Sequence, residues 1–208
     1  MRVQIKGIEK LYQIFLEEGE QLTTEQIATH CKISKKTLFN RYQSRQNLEN
    51  QVVEYWKHCF YTTFKAKMKY ANNQIEGLLY FVDQLKKSIT EEQVFFRLEE
   101  KKYLKPAFLQ DNFFVHIVEY LIREGIREGF FKSKIDPTTY AIGIIFNLFH
   151  LFYYPDNLEN TINHFQLDKD QSLKYISNLI YMLLTSEGIK LFEMISIDQF
   201  LGITSSGE

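Results

Sequence analysis

The apolar side chains of this sequence recur at intervals of three and four residues along nearly the whole chain. That spacing gives an α-helix one apolar stripe, whereas a half-buried strand needs strict alternation, which no segment shows convincingly. Only three prolines interrupt the 208 residues. The sequence therefore predicts an all-α protein, and its 45% hydrophobic content is enough for one large or two small cores.

Signals for export, membrane insertion and metal binding are missing from the sequence. The amino terminus lacks the apolar core of a signal peptide. The longest apolar stretch, residues 141–154, is interrupted by Asn147 and His150 and is shorter than the roughly 20 residues of a bilayer span. Cys31 and Cys59 have no paired-ligand spacing. We therefore expect a cytoplasmic protein without a membrane span, disulfide, metal or cofactor.

Positive charge is concentrated in one short segment. The chain as a whole carries a net charge of −1, yet residues 26–48 contain no Asp or Glu. The basic residues of that segment are Lys32, Lys35, Lys36, Arg41 and Arg45. A local electropositive segment on an acidic chain is typical of a nucleic-acid contact, which the net charge alone would not indicate.

Capping signals in the same region predict two short helices joined by a tight turn. Thr23 and Gln26 have the spacing of a capping box at the start of the first helix. Ser34 is a good cap for the next helix, so the first must be short. Ser44 can then start a long helix. The sequence therefore predicts a helix-turn-helix over about residues 23–42.

The second of these helices has a polar, cationic face. Leu38 and Tyr42 lie four residues apart and are expected to pack inward, which turns the opposite arc outward. Such a helix fits the major groove of DNA. The side chains expected at phosphates are Thr24, Ser34 and Arg45, those expected at base edges are Lys35, Lys36, Thr37 and Asn40, and Phe39 and Arg41 complete the predicted DNA contacts. The alternative is a solvated basic surface, but the caps, turn length and lack of acid all favour DNA.

These residues resemble the amino-terminal pattern of the TetR family of bacterial repressors. The likeness consists of Gly19, Thr23-Thr24, Ile27-Ala28, the run from Ser34 to Tyr42, and Ser44-Arg45. Residues 124–130 and 135–137 resemble the family's junction between two helices of the regulatory domain; the alternative is a simple helix stop at Gly129 and a restart at Pro137. The resemblance implies a homodimer that reads a palindromic operator, with a DNA-binding domain over 1–46 and a regulatory, dimerising domain over 47–208.

The chain departs from the family pattern at four positions of the predicted DNA-binding module. One is Arg41, which replaces another aromatic residue or histidine and is expected to restore a phosphate contact. Phe39 stands where the family usually has tyrosine, so a hydroxyl contact to the DNA backbone is lost. Lys32 and Lys36 stand where glycine is common. We therefore expect Lys32 to adopt a strained turn conformation.

The rest of the chain is expected to form a helical bundle that binds a small hydrophobic effector. The expected helices cover residues 74–89, 91–104, 106–129, 137–154, 169–186 and 190–200. The residues expected to line a ligand cavity are Phe113, His116, Phe146, Asn147 and His150; core packing is the alternative for each. The family likeness implies that helices 137–154 and 169–186 of two subunits form the dimer interface.

Two other functions are weighed against a ligand-responsive repressor. An enzyme is disfavoured because the sequence has no His-Glu-x-x-His, no Gly-x-Ser-x-Gly and no phosphate-binding glycine loop. A helical protein-interaction module without DNA binding would use the basic segment to meet an acidic partner. Substitution of the basic residues, followed by a DNA-binding measurement, distinguishes that module from a regulator.

Overall fold

The computed structural model describes residues 7–103, 112–152 and 169–195. These residues form ten α-helices and, apart from one isolated bridge between Phe131 and Leu184, no strand pairing, so the predicted all-α class is confirmed. The helices are α1 Ile8–Glu18, α2 Thr24–His30, α3 Lys35–Tyr42, α4 Arg45–Met68, α5 Gln74–Glu91, α6 Gln93–Tyr103, α7 Phe113–Arg127, α8 Pro137–Phe152, α9 Lys169–Tyr181 and α10 Ser186–Met194. None of the described helices is long and apolar enough to cross a membrane.

The described residues divide into two compact units. The first contains the chain up to Thr63 together with α6, and the second contains the chain from Phe64 to Thr90 together with α7 to α10. The expected domain boundary at residue 46 therefore falls inside the first unit. The reason is that α4 is one continuous helix across residue 46, and α6 contacts it through Lys57 and Glu99 and contacts α1 through Phe95 and Tyr12.

Glu92, just before α6, links α1 and α4 of the first unit. Its Oε1 accepts a hydrogen bond from the Tyr12 hydroxyl at 2.6 Å, and its Oε2 accepts one from Trp56 Nε1 at 2.8 Å. Phe95 of α6 stacks on Tyr12 with ring centroids 4.9 Å apart. The first unit is therefore a bundle of α1 to α3, the first part of α4, and α6.

A buried ion pair adds a second link between α4 and α6. Lys57 Nζ lies 3.0 Å from Glu99 Oε1, and both side chains are less than a tenth exposed. Removing one partner would take away the closest opposite charge of the other buried group, and breaking a buried ion pair typically costs 3–5 kcal/mol. The pair therefore fixes how α6 lies against α4.

The second unit has an aromatic core. Phe81 of α5 lies edge-on to Phe64 at 5.8 Å and to Phe114 of α7 at 6.4 Å. Phe114 in turn lies 6.3 Å from Phe149 of α8. All four side chains are buried. This core therefore combines aromatic side chains from both halves of the sequence, Phe64 and Phe81 from the first and Phe114 and Phe149 from the second.

The continuous helix expected over 169–186 is wrong, because α9 ends at Tyr181 and α10 begins at Ser186. Between them the Lys132 amide donates to the Leu183 carbonyl at 2.8 Å, and the Thr185 amide donates to the Phe130 carbonyl at 2.9 Å. The Thr185 side chain then caps α10 by accepting from the Gly188 amide. The break is therefore held by the segment that follows α7.

Other helix boundaries agree more closely with expectation. Gly129 has a φ of 84°, as a left-handed helix stop after α7 requires, and α8 begins at Pro137. Helix α5 extends to Glu91, two residues beyond its expected end. The expected start of α7 at 106 and the expected ends at 154 and 200 lie outside the described residues.

Candidate nucleic-acid interface

Side-chain caps define the helix-turn-helix of the first unit. The Thr23 hydroxyl accepts from the Gln26 amide at 3.2 Å, and Gln26 Oε1 accepts from the Thr23 amide at 2.7 Å, which completes the expected capping box of α2. The Ser34 hydroxyl accepts from the Thr37 amide at 3.0 Å at the start of α3. Both expected caps are confirmed.

The turn between α2 and α3 has the strain expected of it. Lys32 adopts a φ of 57°, a left-handed conformation that costs a residue with a Cβ roughly 1 kcal/mol. The Ile33 amide then donates to the Ala28 carbonyl at 3.0 Å, which closes the turn. The tight turn therefore forms although Lys32, and not glycine, occupies its left-handed position.

Helix α3 presents the arc that the sequence predicts. Leu38 and Tyr42 are only 2% and 4% exposed and pack into the unit. Phe39 is 62% exposed. The other residues of the arc are also exposed, and they are Lys35, Lys36, Thr37, Asn40 and Arg41. The inward and outward faces of α3 are therefore confirmed, whereas the individual DNA contacts stay predictions.

Lys35 has an acidic partner that the sequence reasoning did not identify. Its ammonium forms an ion pair with the Glu25 carboxylate of α2, and both side chains are about three-fifths exposed. The hydrogen bond from Lys35 holds the pKa of Glu25 below its ordinary value. Glu25 lies one residue before the acid-free segment. Lys36 therefore contributes the less compensated positive charge at this end of α3.

Two hydroxyls expected at DNA have intramolecular roles as well. The Ser34 and Thr37 hydroxyls lie 2.8 Å apart in a hydrogen bond across the first turn of α3. Thr24 is half-buried as the first residue of α2. Hydroxyls at helix starts lie beside amides that can receive phosphate oxygens. Their position is compatible with phosphate contacts made together with the helix ends.

Arg45 occupies a different environment from the one expected. Its Nε donates to Glu49 at 2.6 Å, its Nη1 to the Leu22 carbonyl at 2.8 Å and its Nη2 to the Glu20 carbonyl at 3.2 Å. The guanidinium also lies 5.0 Å from the centroid of the Phe15 ring. With all three nitrogens engaged inside the unit, Arg45 is better suited to holding α4 against the α1–α2 connection than to a direct phosphate contact.

A further arginine secures the same connection from α6. Arg97 Nε donates to Glu20 Oε1 at 2.9 Å. Burial raises the pKa of Glu20, but the hydrogen bond and charge of Arg97, together with hydrogen bonds from the backbone and from Gln21, outweigh burial and lower the net pKa. Neither Glu20 nor Arg97 carries a sequence motif. Their pairing across 77 residues is visible only in the folded chain.

The five residues expected at a ligand cavity are spread over the second unit. Phe113 is half-buried beside Phe114, with ring centroids 5.1 Å apart. The His116 side chain is 68% exposed and lies 3.5 Å from Glu119, so the expectation that it lies inside the bundle is wrong. It falls on the outer arc of α7, between the buried Val115 and Ile117.

The other three expected ligand residues lie together on α8. The Asn147 amide donates to the Gly143 carbonyl at 2.7 Å and its oxygen accepts from the Tyr175 hydroxyl of α9. Phe146 and His150 have ring centroids 4.3 Å apart. All three are partly exposed, so they line the surface of the bundle near α9. The described part of the chain has no cluster of His, Cys, Asp or Glu side chains that could hold a metal.

The described residues thus combine a capped helix-turn-helix that has a cationic outer face with eight further helices. Solved structures match this arrangement. A structure described as the molecular basis for control of antibiotic production by bacterial hormones has 14% identity and a TM-score of 0.66, over 86% of this chain and 95% of its own. A gamma-butyrolactone receptor, an ArpA-like protein, has 13% identity and a TM-score of 0.63, over 95% of each chain.

The TetR-family protein CprB from S. coelicolor A3(2) has 12% identity and a TM-score of 0.59, again over 95% of each chain. No protein-family model and no curated protein sequence matches this chain significantly. The chain therefore has the fold of the TetR-family regulators, as the resemblance of its first quarter implies.

Proposed function

We propose that this chain is a DNA-binding transcriptional regulator, a ligand-responsive repressor that binds a palindromic operator as a homodimer. The observation that carries the proposal is the outer arc of α3, where Lys36, Asn40 and Arg41 are exposed while Leu38 and Tyr42 anchor the helix. Polar and cationic side chains on an anchored helix are what major-groove contact requires. A regulator of chromosomal genes would act in the cytoplasm.

The DNA test starts from sequence selection. DNA upstream of the gene and a random-sequence pool are offered to the protein, and bound fragments are sequenced. We expect one inverted-repeat motif, bound more tightly than unrelated DNA by a factor of about 10³ or more. Lys36→Ala is expected to weaken binding and change base preference, because this side chain is assigned to base edges.

Lys65→Ala is the matched control, since it removes the same charge from an exposed position of α4 in the second unit. It should leave operator affinity within about twofold. If no sequence is selected and Lys36→Ala behaves like the control, the chain is instead a helical protein-interaction module. Binding of an acidic protein partner through α3 would then be the function to examine.

Exposed apolar side chains on α8 and α9 support the homodimer. Ile142 is 49% exposed and Met182, just after α9, is 58% exposed. The two helices are neighbours, joined by the hydrogen bond from Tyr175 to Asn147. The apolar stripe expected to serve intersubunit contact consists of Ile176, Leu179, Ile180, Leu183 and Leu184. All but the half-buried Leu179 are buried within the chain, so the intersubunit contact would instead use the adjacent exposed residues.

The mass of single-residue variants in solution, measured by analytical ultracentrifugation, tests the homodimer. Ile142→Glu and Met182→Glu each place a charge in the proposed interface and should shift the protein toward the monomer. Met194→Glu is the control, because Met194 is 83% exposed on α10 and lies outside the proposed face. Equal masses for all three variants and the wild-type chain would exclude α8 and α9 as the interface.

The effector is proposed to be a small hydrophobic molecule bound in the second unit. Support comes from the structural likeness to a gamma-butyrolactone receptor. Phe113, Phe146, Asn147 and His150 stay the predicted contacts of the effector. A panel of lactones, phenols and fatty acids is screened for a rise in melting temperature and for release of operator DNA. An effector must both raise the melting temperature and release operator DNA, because it acts by binding the DNA-free conformation more tightly than the DNA-bound one. Enzymatic chemistry is not favoured, because the structural neighbours are regulators.

A further inference from the structure

The exposed phenyl ring of Phe39 is unusual in its surroundings. Among the described residues of the first unit, two large hydrophobic side chains are exposed, Phe39 at 62% and Tyr61 at 46%. Tyr61 has a hydroxyl for solvent, whereas Phe39 has no polar atom in its side chain. Phe39 also lies on the most polar arc of the unit, next to Lys36 and Asn40. Packing within the chain does not explain the ring.

The chemistry of the ring limits what it can contact. A phenyl group neither donates nor accepts a conventional hydrogen bond, so it cannot bind phosphate oxygens or the polar edges of bases. The apolar group that bases offer in the major groove is the C5 methyl of thymine. Deoxyribose carbons offer the other apolar surface, along the DNA backbone. Contact with either is possible for an exposed ring, and the two are distinguishable by experiment.

The position of Phe39 on α3 favours the base over the sugar. Lys36 lies three residues before it, one helical turn away, and Asn40 follows it directly. Both of these side chains are assigned to base edges under the proposed function. The ring therefore lies beside two side chains that are expected to approach the floor of the groove. Leu38 and Tyr42 hold the opposite face of the helix in the core, so α3 cannot turn to bury the ring.

We propose that Phe39 is a specificity-determining residue that contacts the C5 methyl group of a thymine in each operator half-site. The inference rests on the proposed DNA-binding function and names one chemical feature of the DNA. This contact gives the exposed phenyl group of Phe39 a role in DNA binding. The operator is expected to contain a thymine whose methyl group matters for affinity.

The experiment removes the methyl group alone. Thymines of the selected operator are replaced one at a time by uracil, which leaves every Watson–Crick hydrogen bond in place, and affinity is measured by fluorescence anisotropy. At one position per half-site, we expect a loss of about fourfold for the wild-type chain, the ratio that corresponds to burial of one methyl-sized group. Substitution in both half-sites should cost about fifteenfold.

Protein variants show whether Phe39 is the partner of that methyl group. For Phe39→Ala, thymine and uracil operators should bind within about 1.5-fold of each other, because the apolar partner is gone. Phe39→Leu keeps a smaller apolar contact, so its ratio of thymine-operator to uracil-operator affinity should lie between those of the wild-type chain and Phe39→Ala. This variant provides the measurement if Phe39→Ala binds DNA too weakly. Tyr61→Ala, the matched exposed aromatic of the same unit, should keep the full wild-type ratio.

The outcomes separate this inference from the function on which it rests. If the wild-type chain selects no DNA sequence, the proposed function fails first. If it binds a selected operator but no uracil substitution weakens it, Phe39 contacts sugar or solvent, and the inference is overturned. A uracil effect that persists unchanged in Phe39→Ala and Phe39→Leu overturns it equally, because another residue then contacts the methyl group.

Discussion

At the scale of single residues, a basic side chain in the acid-free segment could not be assigned to DNA contact or to intramolecular bonding from the sequence alone. Lys36 is exposed as the sequence suggests, but Arg45 has its guanidinium bonded to Glu49, Leu22 and Glu20. Both lie in the same acid-free segment. The difference arises from tertiary structure, because the carbonyls that receive Arg45 belong to a connection more than 20 residues earlier.

Arg45→Ala is expected to destabilise the first unit by about 2–3 kcal/mol. It removes three hydrogen bonds and leaves the mostly buried Glu49 carboxylate without its arginine partner. Chemical denaturation monitored by the fluorescence of Trp56 measures the change. Arg41→Ala, at an exposed position of α3, should change the free energy of unfolding by less than about 0.5 kcal/mol. Equal stabilities for the two variants would show that Arg45 is not a structural anchor.

The hydroxyl of Tyr12 makes stability depend on pH in the alkaline range. Burial, and next the hydrogen bond to Glu92, raise the pKa of Tyr12 above its ordinary value of 10.0. Its contribution to stability is therefore fully present below about pH 10 and is lost as the pH rises beyond that. The same sign applies to Tyr55, where burial raises the pKa to about 12.

Tyr12→Phe is expected to lower the free energy of unfolding by about 1–2 kcal/mol at pH 7, because a hydrogen bond to a carboxylate is lost. It should also reduce the loss of stability between about pH 9.5 and pH 11, since one of the titrating groups is gone. Urea titrations at both ends of that range measure the effect. Tyr61→Phe, at an exposed position, should reproduce the wild-type dependence; a Tyr12→Phe profile identical to it would contradict the assignment.

At the scale of elements, local signals were predictable from the sequence and long-range ones were not. The caps at Thr23 and Ser34 depend on side chains and amides within three residues, so spacing alone located them. The break between α9 and α10 depends on bonds to Phe130 and Lys132, more than 50 residues earlier. The apolar periodicity runs on through Leu183 and Leu184, which is why one continuous helix was expected.

Gly188→Ala tests the contact that holds this break. A Cβ at Gly188 would lie 2.2 Å from the Phe130 carbonyl oxygen, a backbone atom that cannot move aside. We expect a loss of roughly 2–3 kcal/mol of stability, as for overpacking in a core. Gly143→Ala in α8 is the control, since nothing lies within 4 Å of its Cβ position. It should be neutral or stabilising by up to about 1 kcal/mol, because alanine is the better helix former. Thermal unfolding of both variants measures these changes, and equal stabilities of the two would contradict the prediction.

At the scale of the whole molecule, the uneven distribution of charge matters more than the net charge of −1. Under the proposed function, the basic segment meets the DNA while the remaining chain is acidic, which limits non-specific attraction to nucleic acid. This segregation was readable from the sequence. The composition of the first unit was not, because Glu92, Phe95 and Arg97 carry no sign in the sequence of their pairing with Tyr12, Trp56 and Glu20.

The salt dependence of operator binding measures how many phosphates the proposed dimer contacts. If each subunit neutralises roughly three or four, a plot of log K against log salt should have a slope of about −5 to −7. Anisotropy titrations between about 50 and 200 mM salt cover the useful range. Lys65→Ala should leave this slope unchanged. A slope near zero would mean that α3 does not lie against a nucleic-acid backbone.

The inclusion of α6 in the first unit makes that unit discontinuous along the chain, since about 27 residues of the second unit are inserted between Thr63 and Glu91. During synthesis, the Tyr12 hydroxyl and the Trp56 indole can form their hydrogen bonds only after Glu92 has been translated. A fragment that ends at residue 63 would lack α6 and leave the Trp56 indole and the Tyr12 ring exposed to solvent, and one that ends at residue 46 would lack Trp56 as well. Grafting this module onto another protein therefore calls for excising both stretches and joining them with a new linker.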